Sequence, residues 1–79
     1  MHADICTAND AAAVARLRDI LRRLGAQPGD KGWFTGCDLY PFTIGSEQLC
    51  VTRDEWSVDI EGPDALVKKI VSEYTQAET

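Results

Sequence analysis

One histidine, three cysteines and a single methionine stand in 79 residues, and each scarcity closes a route. With His2 as the sole imidazole and no Cys-x-x-Cys pair, a zinc site lacks ligands at workable spacing. No second histidine stands ready to activate a cysteine or serine as a nucleophile. There is no run of 18 apolar residues, so no segment reads as a membrane-spanning helix. The opening stretch MHADICTAND has neither a basic n-region nor an apolar h-region. It therefore does not read as a signal peptide, and the expected address is the cytoplasm. Cys6, Cys37 and Cys50 are odd in number and far apart, which suits free thiols acting as small apolar residues. A disulfide within or between chains is the alternative.

What is present describes one globular domain over residues 1–79. Hydrophobic residues make up 44% of the chain, too many for a disordered one. A chain of this length buries only about 60% of its unfolded surface, so its core is thin. The net charge of −5 is unevenly spread. Residues 1–31 carry five bases and four acids, whereas residues 32–79 carry three bases and nine acids. Such asymmetry predicts two faces of opposite sign.

The first helix is expected over residues 8–24. Thr7, three residues before Asp10, suggests a loose capping box. Val14, Leu17, Leu21 and Leu24 repeat at threes and fours, widened by Ala13 and Ile20. Gly25 is placed to end the helix, with Ala26 folding back toward Leu21 and Pro28 barring continuation. The loop GAQPGDKG that follows differs from a phosphate loop. Asp30 separates Gly29 from Lys31, and the segment follows a helix and not a strand.

The middle of the chain reads as a three-stranded antiparallel meander. Gly45-Ser46 is a two-residue hairpin turn, which sets Ile44 opposite Glu47, Phe42 opposite Leu49, Tyr40 opposite Val51 and Asp38 opposite Arg53. A second turn at Asp54-Glu55 sets Val51 opposite Val58, Leu49 opposite Ile60 and Arg53 opposite Trp56. One face then collects Tyr40, Phe42, Ile44, Leu49, Val51, Trp56, Val58 and Ile60. Pro41 places residues 40–44 on one edge, because proline cannot donate to a ladder. Residues 56–61 form the other edge, and residues 32–36 could extend the first strand through a bulge at Gly36. The second helix begins at Pro63, with Leu66, Val67, Ile70, Val71 and Tyr74 as its stripe. The expected fold is thus α+β: an αβββα two-layer sandwich, both helices on one sheet face, residues 1–6 and 76–79 frayed.

Catalytic, cofactor and metal roles find no constellation to carry them. Asp59 and Glu61 share a strand face, but an open face supplies neither burial nor a cleft to push their pKa values apart. Cys50 is expected beside Asp59, where a carboxylate makes a thiol less reactive. Two charged surfaces remain. Arg16, Arg18, Arg22, Arg23 and nearby Lys31 make a basic outer face on the first helix. Its plain reading is a solvated helix surface; its functional one is contact with phosphates or an acidic protein. RDEWSVDIEGPD, residues 53–64, sets Asp54, Glu55, Asp59, Glu61 and Asp64 against Arg53. Those acids either guard a sheet edge or steer a partner bearing a basic patch.

A small acidic αβ chain with such a run resembles the anti-CRISPR proteins of phages and, more distantly, the acidic immunity proteins of bacterial toxins. The resemblance rests on size, charge and layout over the whole chain. It implies a non-enzymatic inhibitor that occludes a basic, nucleic-acid-binding surface on a protein partner, without binding nucleic acid or membrane itself. The four-arginine helix departs from a uniformly acidic mimic and leaves a two-sided binder open. The alternative is a self-associating accessory protein, a monomer or weak homodimer, whose basic helix meets the acidic strand of another copy. A small thiol-dependent enzyme or redox protein is the third reading.

Overall fold

A computed structural model describes residues 1–34 and 36–77. Its elements are β1 (His2–Thr7), α1 (Ala11–Arg23), β2 (Gln27–Pro28), β3 (Gly32–Phe34), β4 (Cys37–Ile44), β5 (Glu47–Arg53), β6 (Ser57–Glu61) and α2 (Asp64–Ala77). The chain forms a small α+β domain of two helices and a six-stranded antiparallel sheet, in the order β1-β6-β5-β4-β2, with β3 also paired to β4. The expected three-stranded meander is its centre; three further strands flank it. Among the described residues, no helix is long and apolar enough to cross a membrane.

The β4–β5 register agrees with the expected one at each of its four stated pairs. Gly45 explains why: its φ of +62° is the left-handed value that a primed hairpin turn requires at this position. The β5–β6 register differs by two residues. Val51 faces Ile60, Arg53 faces Val58 and Cys50 faces Glu61. The turn lies one residue later than expected, around Glu55 and Trp56. Asp54 fixes it there: its N–H donates to the Ser57 carbonyl at 3.1 Å, and its Oδ1 accepts from the N–H groups of Trp56 and Ser57, each at 2.7 Å. An aspartate can build a tight turn with its own carboxylate, without the glycine that was sought there. A displacement of two keeps the pleat's parity, so Val58 and Ile60 still face the helices. Trp56 does not; it stands in the turn, 78% exposed.

Residues 1–6, expected to fray, supply most of β1. This strand pairs antiparallel with β6, through Ala3↔Ile60 and Asp4↔Asp59, and bulges between Asp4 and Cys6. The acidic strand β6 is therefore interior, and the edge-guarding role expected of its carboxylates falls away. Residues 32–34 turn back on β4 as β3 and do not extend it. Pro41 is interior too, yet its missing donor costs nothing. β3 lies against residues 37–39 and β2 against residues 42 and 43, so Pro41 sits at the junction, its carbonyl accepting from Gly29 N–H at 2.8 Å.

Asp10, not Thr7, caps α1, accepting from Ala13 N–H at 3.1 Å. The C-terminus ends as the sequence suggests: Gly25 has φ +77°, Gly25 N–H donates to Arg22 and Ala26 N–H to Leu21. Helix α2 runs to Ala77, so the fraying expected from residue 76 is not seen at 76 and 77; residues 78 and 79 lie outside the described ones. One core joins both helices to one sheet face. Ile20, Val67, Ile70 and Ile60 are fully buried, with Leu17, Leu21, Leu49, Val58, Leu66 and Tyr74 around them. Tyr40, Phe42 and Ile44 on β4 pack against this core but stay only partly buried.

Candidate functional site: a basic-rimmed groove between α1 and β4

The expected acidic surface is divided by the fold. Asp54 is spent on its turn, and the two backbone N–H bonds it accepts, from Ser57 and then Trp56, hold its pKa below the usual carboxylate value. Asp64 opens α2, its Oδ1 3.2 Å from the Met1 ammonium. Asp59 lies on the open sheet face, its Oδ2 3.3 Å from His2 Nε2. Glu55 and Glu61 remain exposed and without an ion pair among the described residues.

Pairing β1 with β6 creates a cluster the sequence did not announce. One ligand atom each from His2, Asp4 and Asp59 lie within 4.8 Å of one another. Burial raises the Asp59 pKa first, and the hydrogen bond and charge of Asp4 add to it, against the downward pull of His2. When ionised, Asp59 leaves a buried Oδ1 without a partner; when protonated, it can share its proton with Asp4. The three groups could coordinate a cation, but His2 and Asp4 are exposed to water. Cys50 lies opposite Glu61 and Pro41, and not beside Asp59 as expected. All three cysteines are free and half-buried. Burial, then Asp10, pushes the Cys6 thiol pKa up, despite opposing effects of Tyr74, Arg16 and Arg53, so the reactive thiolate is disfavoured.

The basic set gathers more coherently. A pocket of about 330 Å³ opens between α1 and the outer half of the sheet. Its wall is one stripe of α1, with Val14, Leu17 and Leu21 flanked by Arg18 and Arg22 at i, i+4 spacing. Its floor is Tyr40, Phe42, Val51 and Val58, and Ala26 and Pro28 also line it. Arg53 is the third cation, fixed by a 2.8 Å bond from its Nη2 to the Ala8 carbonyl. Arg22 has only a loose contact with Asp19, at 3.7 Å, and Arg18 has no ion pair among the described residues. Lys31 lies over the Tyr40 ring, 5.3 Å from its centre, and 3.7 Å from Asp38. Arg16 is turned elsewhere, over Tyr74 at 5.1 Å. Arg23 is exposed and lines no part of the groove.

Thus Arg18 and Arg22 of the expected basic face line one site with Arg53, and Lys31 stands close by. The sequence pointed to Arg18 and Arg22 as part of a basic helix face, either solvated or in contact with phosphates or an acidic protein, and not as the wall of a groove. Their position four apart on the flank of the Val14-Leu17-Leu21 stripe was the available signal. Trp33 lies opposite Asp38, which lies opposite Arg53, so the three form a row across β3, β4 and β5 on the helix side. Trp33 is 71% exposed, and Trp56 stands in the turn just beyond Arg53. No family model matches the chain, and neither does any curated protein or solved structure.

Proposed function

We propose that this protein is a non-enzymatic binding module that works by protein–protein contact, and that its contact face is the Arg53 end of the groove. One observation supports the reading: Trp33 and Trp56 stand in water, one in the cross-strand row of Arg53 and the other in the turn after it, and Arg53 lines an apolar, cation-rimmed groove. Tryptophan, tyrosine and arginine dominate the energetic centres of interfaces, and all three residue types meet here in Trp33, Trp56, Tyr40, Arg18 and Arg53. The polar groups of the groove are mainly guanidiniums, which stay protonated and so anchor anions without serving as bases. A partner offering carboxylates around an apolar projection is the complement. The test compares variants in binding to a retained partner. Trp33→Ser with Trp56→Ser, and separately Arg18→Glu with Arg22→Glu, should abolish retention, while Glu55→Lys with Glu61→Lys should keep it. The reverse pattern would overturn the reading.

That reverse pattern belongs to a second reading, an acidic inhibitor that covers a basic surface of a nucleic-acid-processing complex in the manner of anti-CRISPR proteins. It is favoured by the register that sets Asp4 beside Asp59, with Glu61 on the same open face. Its acidic patch is smaller than the sequence suggests, because Asp54 and Asp64 are already engaged.

A further inference from the structure

The interior of the groove, as distinct from the tryptophans at its end, has the build of a small-molecule site. Its volume of about 330 Å³ falls in the lower part of the range typical of small-ligand pockets, about 300–1,000 Å³. Its body is apolar, from Val14, Leu17, Leu21, Phe42, Val51 and Val58. Among the described residues its charged side chains are three cations, Arg18, Arg22 and Arg53, and no carboxylate lines it. Asp19 contacts Arg22 at 3.7 Å, and Asp38, on β4 opposite Arg53, contacts Lys31 at 3.7 Å. In a molecule of net charge −5, this is a local reversal of sign.

The geometry points to a site for an amphiphilic organic anion, with an aliphatic or aromatic body in the groove and a carboxylate at Arg18, Arg22 and Arg53. A neutral apolar ligand would fill the floor but offer the guanidiniums no anion. A hydrophilic anion would meet the arginines but waste the apolar surface. Only a ligand with both parts satisfies both. Arg53 is the best-placed anchor, because its bond to Ala8 already holds its guanidinium and reduces the entropy lost on binding. Arg18 has no ion pair among the described residues, and charge-assisted bonds are the strong ones. The inference goes beyond the protein-contact reading: the two share Arg18, Arg22 and Arg53, but this one does not use Trp33 or Trp56.

The experiment uses the whole chain, ¹⁵N-labelled, titrated with decanoate below its micellar concentration and with decanol as the neutral probe of the same length. Saturable amide shifts confined to Val14, Leu17, Arg18, Leu21, Tyr40, Phe42 and Val51 are expected with decanoate, and binding at least about tenfold weaker with decanol. Arg18→Gln with Arg22→Gln, both exposed and so compatible with the fold, should weaken decanoate about tenfold and leave decanol unchanged. No saturable shift at these residues, shifts mapping elsewhere, or equal affinity for the two probes would each overturn the inference. Loss of partner retention in the Trp33→Ser, Trp56→Ser variant, with decanoate binding intact, would separate the two readings.

Discussion

The two halves of this sheet obey the same alternation and meet different fates. On β5 and β6, inward side chains such as Leu49 and Ile60 are at most 2% exposed and line no part of the groove. On β4, Tyr40, Phe42 and Ile44 alternate just as regularly, yet they remain only partly buried, and Tyr40 and Phe42 floor a groove. The difference is one of widths. Strands lie about 4.8 Å apart and packed helices about 10 Å apart, so two helices cover roughly four strands. This sheet is five positions wide. With α1 and α2 seated over the β1–β6–β5 side, the outer strands are left short of cover. Apolar patterning therefore does not by itself mean core; here the same pattern yields a core on one side and an open groove on the other.

Breaking the sealed half should have the largest effect. Ile60→Asp buries an unpaired charge where the side chain is fully enclosed, at a cost on the order of 5 kcal/mol, comparable to the whole stability of a small domain. Circular dichroism should find this variant unfolded at room temperature. A melt like that of the wild type would refute the placement of β6 under the helices.

A matched pair of truncations sharpens the contrast. Leu49→Ala, in the sealed half, should cost about 3 kcal/mol by urea denaturation. Phe42→Ala removes a larger side chain, but from the groove floor, and should cost only about 1 kcal/mol, well below the roughly 3–5 kcal/mol usual for a buried phenylalanine. Equal or reversed costs would mean that the groove is closed in solution.

Arg53 joins the two regions, since it lines the groove and ties β5 to the segment before α1. Arg53→Met keeps much of its apolar stem and deletes the bond to the Ala8 carbonyl, for an expected loss of about 1 kcal/mol. Unchanged stability would mean that the bond is not held in solution.

Asp54 and Asp59 make the finest comparison, because one hairpin carries two carboxylates shifted in opposite directions. The folded state lowers the Asp54 pKa, so Asp54 contributes stability above the ordinary carboxylate value that is lost as pH falls through the lowered one. Asp59 is raised, so its contribution is complete below about 3.9 and is lost as pH rises through its folded value. Asp59→Asn should therefore melt at or slightly above the wild-type temperature at pH 7, and its stability should decline less as pH rises from about 4. Asp54→Asn should melt lower at pH 7 and converge on the wild type in acid. Parallel pH profiles for both variants would contradict the opposed environments.

Much of this fold was legible because local chemistry dictated it. Gly45 set the β4–β5 register, Gly25 and Ala26 ended α1, and the leucine and valine stripes identified the helix faces before any contact was known. The β5–β6 register was displaced because Asp54 supplies a side-chain turn that a search for glycine overlooks. The core list survived because the displacement was even; only Trp56 left the face, for the turn. β1 was missed for a different reason. His2-Ala3-Asp4-Ile5 is short, and alanine and aspartate are weak strand formers, so nothing in the segment marks it as a strand. Its stability comes from β6, far along the chain, through pairs such as Ala3↔Ile60 and Cys6↔Val58. The cluster of His2, Asp4 and Asp59 was hidden with it. Of the site, Arg18 and Arg22 were visible as charges, but not as the rim of a groove.

The sequence by itself determined what depends on neighbours along the chain: where turns form, where helices stop, which side chains share a face, and the division of charge between the two halves. Those follow from dihedral preference, capping and the periods of 3.6 and 2, none of which needs a distant partner. The tertiary structure alone decided that the acidic strand is interior, that its carboxylates are dispersed among a turn, a helix start and a three-residue cluster, and that the arginines frame an opening. Those outcomes depend on which distant strand closes the sheet and on how much of it two helices can cover, and both are set by contacts across the chain and not along it.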